Sequence, residues 1–218
     1  MERGFRGLVS RFWVAAAAIG VVLVMIGDVG LAQSENKDDD FLLEGKGHLK
    51  IERPAKLSKE DAEKIYQRVG PRMARGYAAT GDLIARDFRK WHRYNASPYR
   101  SATHGNRYVN NYGNGVAANY GRLRQGEKMP VGAILVKDSF TVTSDGDVFG
   151  GAMFIMEKLP EGMSTETDGW RYVMVMPDGS LLGDSTGDRS EDVRFCHSCH
   201  ITMASSDYLF FVSKKYRH

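Results

Sequence analysis

Two cysteines and six prolines are few for 218 residues, and no basic block disturbs a near balance of charge. Two thiols allow one disulfide at most, so cross-links cannot be what holds this fold together. Thirty Lys+Arg against 27 Asp+Glu leave a net charge of +3, too little for a polyanion binder, and no nucleic-acid partner is expected. No apolar run reaches the roughly 20 residues of a spanning helix, which excludes a polytopic membrane protein. What is there, 42% hydrophobic and 26% charged residues, is the composition of an ordinary globular chain with a core of its own.

The N-terminus carries Arg3, Arg6 and Arg11, then an apolar stretch from Phe12 to Gly27, then Gly30-Leu31-Ala32 before Gln33. A positive start, a short apolar stretch and a small-x-Ala site read as a secretory signal over 1–32, with an uncleaved N-terminal anchor as the alternative. Either way the remainder works outside the cytoplasm, and a periplasmic location is expected. Residues 33–57 open on Gln33-Ser34-Glu35-Asn36-Lys37-Asp38-Asp39-Asp40 and read as a polar linker.

A helical segment is expected over 58–93. Ser58 and Asp61 form a capping-box-like pair, and Ala62, Ile65, Tyr66 and Val69 recur at helical spacing. Gly70-Pro71 reads as a break, with a second helix to Gly81 and a third from Asp82 to about Arg93. From Tyr94 the chain turns aromatic and Gly/Asn-rich. A short helix is expected over Val116–Gln125, then strands over Val131–Lys137, Ser139–Thr143, Val148–Met156 and Trp170–Met176. Ser144-Asp145-Gly146 and Pro177-Asp178-Gly179 look like hairpin turns. Helices followed by sequential strands make an α+β fold: a mainly antiparallel β-sheet domain over 94–218 behind a small helical segment.

Both cysteines fall in one run, Cys196-His197-Ser198-Cys199-His200. Two thiols three residues apart can add to the two vinyl groups on one porphyrin edge, with the next histidine under the iron. Cys196 and Cys199 are therefore the expected attachment points of one covalent haem c, and His200 the metal ligand. A thioredoxin-like dithiol belongs near a βαβ unit, a zinc site needs a fourth ligand, and a local disulfide leaves the histidine unexplained. Small helical cytochromes carry this motif near the N-terminus; here it follows the strands.

Residues from about 94 to 212 resemble the cytochrome P460 family of exported c-type haem proteins. The residues that carry the resemblance are Tyr108-Val109-Asn110-Asn111, the segment Met129 to Asp138 with its Pro-x-Gly-x-x-x-x-Lys pattern, Gly169-Trp170-Arg171-Tyr172, the late Cys196 to His200 motif, and Asp207-Tyr208-Leu209-Phe210-Phe211. The resemblance implies a mainly antiparallel fold, commonly a homodimer, with one five-coordinate haem against the sheet. In the enzymes of this type a sheet lysine, by motif position Lys137, is joined to the porphyrin edge, and hydroxylamine is oxidised toward nitrogen oxides. Relatives without that link bind nitric oxide or other gases.

On a strand, Ala133, Leu135, Lys137 and Ser139 share one face and Ile134, Val136 and Asp138 the other. A lysine on an apolar face snorkels, pairs or reacts, and Asp138 or another nearby acid is the plain alternative to haem contact. Arg107 fits a haem propionate as a fork fits a carboxylate, and His104 is a further candidate for the distal side or a propionate. Glu191, with Asp192 beside it, is the candidate for the carboxylate that, as the resemblance implies, takes protons from hydroxylamine in enzymes of this type; the segment also has the composition of a solvated loop. Met153, Met156, Met174 and Met176 read as packing. The functional expectation is an open-faced mono-haem cytochrome acting on hydroxylamine or nitric oxide and passing electrons to a partner cytochrome. The alternative is a non-catalytic gas-binding or electron-transfer protein.

Overall fold

The computed structural model describes residues 54–218. The expected signal at 1–32 and the linker up to residue 53 lie outside the described residues. The last linker residues lie along the sheet: the Ala55 N–H donates to the Val142 carbonyl at 2.7 Å and the Leu57 N–H to the Tyr108 hydroxyl at 2.7 Å.

Helix α1 runs Lys59–Ala78. Ser58 caps it, its hydroxyl accepting from the Asp61 N–H at 3.0 Å. The break expected at Gly70-Pro71 does not occur, and Pro71 sits inside one continuous helix. The reason is tertiary: Ala62, Tyr66, Val69, Met73 and Tyr77 form one apolar stripe buried against the sheet, which outweighs one lost backbone hydrogen bond. Gly70 leaves room for the guanidinium of Arg89, which reaches over it to donate to the Tyr66 hydroxyl at 2.8 Å. Helix α2, Leu83–Asp87, is capped by Asp82 and continues as one 3₁₀ turn to Lys90. The helical segment thus ends before Arg93, because His92–Arg93 pairs as a short strand, β1.

The remaining strands are β2 (Tyr99–Ser101), β3 (Arg107–Gly113), β4 (Ile134–Val142), β5 (Val148–Gly150), β6 (Met153–Lys158), β7 (Trp170–Val175) and β8 (Leu181–Asp184). They form one antiparallel sheet in the order β1-β3-β4-β6-β7-β8, with β2 on β3 and β5 on β4. The fold is α+β as expected, with local differences. Residues 131–133 turn on Gly132 (φ 83°) before β4 begins, and β4 then runs unbroken through Asp138. The helix expected over 116–125 is only a 3₁₀ turn at Gly115–Ala117, since Gly121 (φ 82°) leaves helical space within one turn. Both expected hairpins form, around Gly146 and Gly179.

Strand alternation splits the core in two. Val136 and Phe140 of β4, with Tyr108, Tyr112, Met153, Ile155 and Val173, face α1. Ala133, Leu135, Met156, Trp170 and Tyr172 face the other way, toward Leu209 and Val212 of the C-terminal segment. The sheet is therefore the middle layer, with the helical segment behind it and the Cys-x-x-Cys-His segment in front.

Candidate haem site

The motif forms its own helix, α3, over Arg194–His200. Cys196, Cys199 and His200 stand at i, i+3 and i+4, one helical face. The helix is seated by Val193, which is buried with Ala152, Met174 and Met176. Gly183 of β8 makes this seat: a Cβ there would meet Val193 Cγ1 at 3.1 Å. Both thiols are free, Cys196 half-buried and Cys199 exposed, and burial raises the Cys196 thiol to about 12.

Between α3 and the front of the sheet lies a cavity of about 800 Å³ including its mouth. Cys196, Cys199 and His200 line one wall, with Phe195, Leu209 and Phe210; Leu135, Lys137, Phe154 and Met156 line the sheet side. The walls are mostly apolar, as in pockets that hold organic cofactors.

His200 is prepared as a metal ligand. Its Nδ1 lies 2.6 Å from the Tyr208 carbonyl oxygen, a bond in which Nδ1–H donates and the Nε2 lone pair is left available. Burial lowers its pKa to about 4, so the imidazole is neutral. The Tyr208 carbonyl is brought there by two successive left-handed residues, Asp207 (φ 52°) and Tyr208 (φ 65°). Each such residue costs about 1–2 kcal/mol, more readily borne by Asp than by Tyr, so the turn persists only because its surroundings fix it.

Lys137 reaches the cavity, paired across the ladders with Asn111 of β3 and Phe154 of β6. Burial lowers its pKa to about 8, with the nearby Cys199 pulling the other way. Asp138, its neighbour in sequence, is no partner. It points to the opposite face, where its carboxylate accepts from the Tyr66 hydroxyl at 2.5 Å and Asn110 Nδ2 at 3.0 Å.

His104 lines the cavity too, edge-on to Phe154 at 4.8 Å, with Nδ1 held by the Ser101 hydroxyl at 2.9 Å. Arg107 is buried but does not line the cavity; it packs beside Gly151, and burial lowers its pKa while Tyr77 opposes the shift. Glu191 and Asp192 are exposed outside the cavity, ion-paired to Arg194 and Arg189 respectively. No carboxylate lines the cavity among the described residues. Met153, Met174 and Met176 are buried, while Met156 lines the cavity.

Two wall residues escaped the reading of the sequence. Asn111 Oδ1 and the Tyr172 hydroxyl are buried with no hydrogen-bond partner among the described residues, and both residues line the cavity. Asn111 Nδ2 donates to Tyr99 at 2.7 Å, which turns Oδ1 away from Tyr99. The hint was strand parity, since Asn111 is in register with Lys137 on the same face, but parity alone does not say what the face covers.

Free thiols at vinyl spacing, a histidine with its second nitrogen already bonded, an apolar cavity and orphaned polar atoms on its walls fit a porphyrin attached through Cys196 and Cys199 with His200 beneath the metal. Fold and site together are those of a c-type cytochrome, with the candidate haem pocket between an antiparallel sheet and a C-terminal motif helix. The family model described as Cytochrome P460 matches residues 85–211, more than half of the chain, and the chain belongs to that family. No curated protein matches the chain. The family's cofactor is haem c, and the match leaves α1 outside it.

Proposed function

We propose that this protein is an exported mono-haem c cytochrome that performs redox chemistry on a small uncharged nitrogen compound of the hydroxylamine type. The observation that carries the reading is the shared cavity: the attachment cysteines and His200 on one wall, Lys137, Asn111 and His104 on others. Haem c, when bound there, supplies one-electron redox chemistry and a coordination position for the ligand. The chain's own groups do the rest. His200 would hold the metal through Nε2, its Nδ1 being bonded to the Tyr208 carbonyl. Asn111 lines the cavity and its Oδ1 has no partner among the described residues, so it is assigned as the acceptor for an N–H or O–H group of the ligand. The imidazole of His104, on the wall of the cavity, is assigned the proton-accepting role first considered for Glu191. The apolar remainder of the wall excludes water, and electrons pass to a partner cytochrome.

Covalent attachment of a single haem is part of the proposal and is supported by the two cysteines and the one motif of the whole sequence. A periplasmic location is part of the proposal and is supported by the signal-like residues 1–32. Homodimerisation is part of the same proposal and is checked by light scattering.

A second reading, reversible binding of nitric oxide without turnover, is favoured by the missing carboxylate on the described cavity wall. Protein matured in an oxidising compartment decides between the two. Hydroxylamine-dependent reduction of an added electron acceptor, lost in His104→Ala with the haem spectrum intact, supports the first. A nitric oxide complex with no hydroxylamine turnover supports the second. A ferrous spectrum with a red-shifted Soret band that becomes ordinary in Lys137→Ala identifies a lysine link; a spectrum identical in that variant removes it.

A further inference from the structure

Lys158, at the end of β6, and Asp207, beyond α3, form an ion pair of 2.8 Å with side chains 8% and 0% exposed. Such burial is weak as a device for stability, because an apolar pair of similar volume does as well without the desolvation cost. The pair therefore calls for another explanation, and its connections supply one. Asp207 Oδ2 accepts from the Met129 N–H at 2.8 Å while Oδ1 takes Lys158. Lys158 Nζ also donates to the Asp168 carbonyl at 3.3 Å and lies over the Trp170 ring at 4.8 Å. The Asp168 side chain in turn hydrogen-bonds Tyr208, lifting the phenol to about 12. The bonds from Met129 and Lys158 to Asp207 and from Tyr208 to Asp168 hold the left-handed Asp207-Tyr208 turn, whose Tyr208 carbonyl receives His200 Nδ1–H.

We propose that the Lys158–Asp207 pair positions His200: by pinning the 207–208 turn, it sets the strength of the Nδ1–H···O bond and through it the donor strength of the axial imidazole. Lys158 and Asp207 are positioning residues, and the inference rests on His200 being the haem ligand. A strong bond at Nδ1 makes the imidazole a better donor and favours ferric over ferrous iron. Loosening the turn weakens that bond whichever partner is removed.

The two partners carry opposite charges, and this makes the test decisive. Haem-loaded full-length Lys158→Met, Asp207→Asn and the double variant are compared with wild type by resonance Raman (the iron–histidine band of the ferrous protein) and by redox titration. Positioning gives a lower-frequency band and a raised potential in all three, with a ferric/ferrous shift on the order of tenfold, about 59 mV for one electron. A purely electrostatic role gives shifts of opposite sign in the two single variants. Opposite shifts, or an unchanged band and potential, overturn the proposal. The double variant leaves no unpaired buried charge and carries the test if a single variant fails to accumulate. Glu63→Gln, which removes a pair with Arg93 on the α1 side of the sheet, controls for lost stability and leaves band and potential unchanged. If wild-type protein carries no covalent haem, it is the haem reading that fails, a separate result.

Discussion

Lys137 and Asp138 show how much one residue step on a strand decides. The lysine enters the cavity; the aspartate is buried behind the sheet under Tyr66, whose hydroxyl also lies 2.6 Å from that of Tyr112. Alternation made the opposite faces legible in the sequence, but which face held a cavity was not. Arg171 offers a residue-scale prediction about pH. It grips Asp184 through Nε and Nη2 and Glu157 through Nη1. Burial raises the Asp184 pKa, but the bonds from Arg171 outweigh it and the net shift is downward. A lowered folded pKa means stability that is present above the unfolded value, about 3.9, and lost as pH falls through the folded one. Urea unfolding of wild type and Asp184→Asn should therefore show a gap that is full at pH 6 and closes as the pH drops below about 4.

At the scale of elements, α1 depends on its cap, its buried stripe and the hairpin that abuts its end. Ser58→Ala should lower stability by about 0.5–2 kcal/mol through loss of the bond to the Asp61 N–H, seen as a lower thermal midpoint. Met73 is fully buried between α1 and the sheet, and Met73→Ala should cost about 2–5 kcal/mol in denaturant unfolding. Gly179 closes the β7–β8 hairpin at φ 86°, and a Cβ there would stand 2.6 Å from the Gly76 carbonyl oxygen of α1. Gly179→Ala should destabilise by more than about 1 kcal/mol, since both the conformation and the space are wrong for a side chain. The cap and the turn glycine were legible in sequence because both act locally. The continuity of α1 through Pro71 was not, because burial against sheet residues such as Tyr108, Phe140 and Ile155, remote in the chain, offsets what the proline removes.

At the scale of the molecule, the sheet has two covers of different kinds. Behind it, α1 packs through Tyr66, Met73 and Tyr77 as an ordinary helix-on-sheet layer. In front, α3 and the C-terminal segment leave an apolar cavity, so the cofactor itself is predicted to complete that half of the core. Cys196→Ser with Cys199→Ser should then give colourless protein whose thermal midpoint falls well below that of the haem-loaded form. An unchanged midpoint in the colourless double variant would mean that the front layer closes without haem.

The sequence by itself determined which residues are the candidates for haem attachment and the class of fold. Cys196, Cys199 and His200 are fixed by spacing within five residues, and strand alternation with turn residues between strands dictates an antiparallel sheet; both are local relations. Only the tertiary structure decided what surrounds the candidate site. Lys137, Asn111, His104 and Tyr172 come to one cavity from β4, β3, the loop after β2 and β7, while Glu191 and Arg107 are left outside it. A backbone carbonyl, that of Tyr208, orients the imidazole, and its position depends on an ion pair between residues 158 and 207. The physical reason is that a site's electrostatics are set by distances through space, and residues so far apart in the chain carry no record of those distances until the sheet has formed.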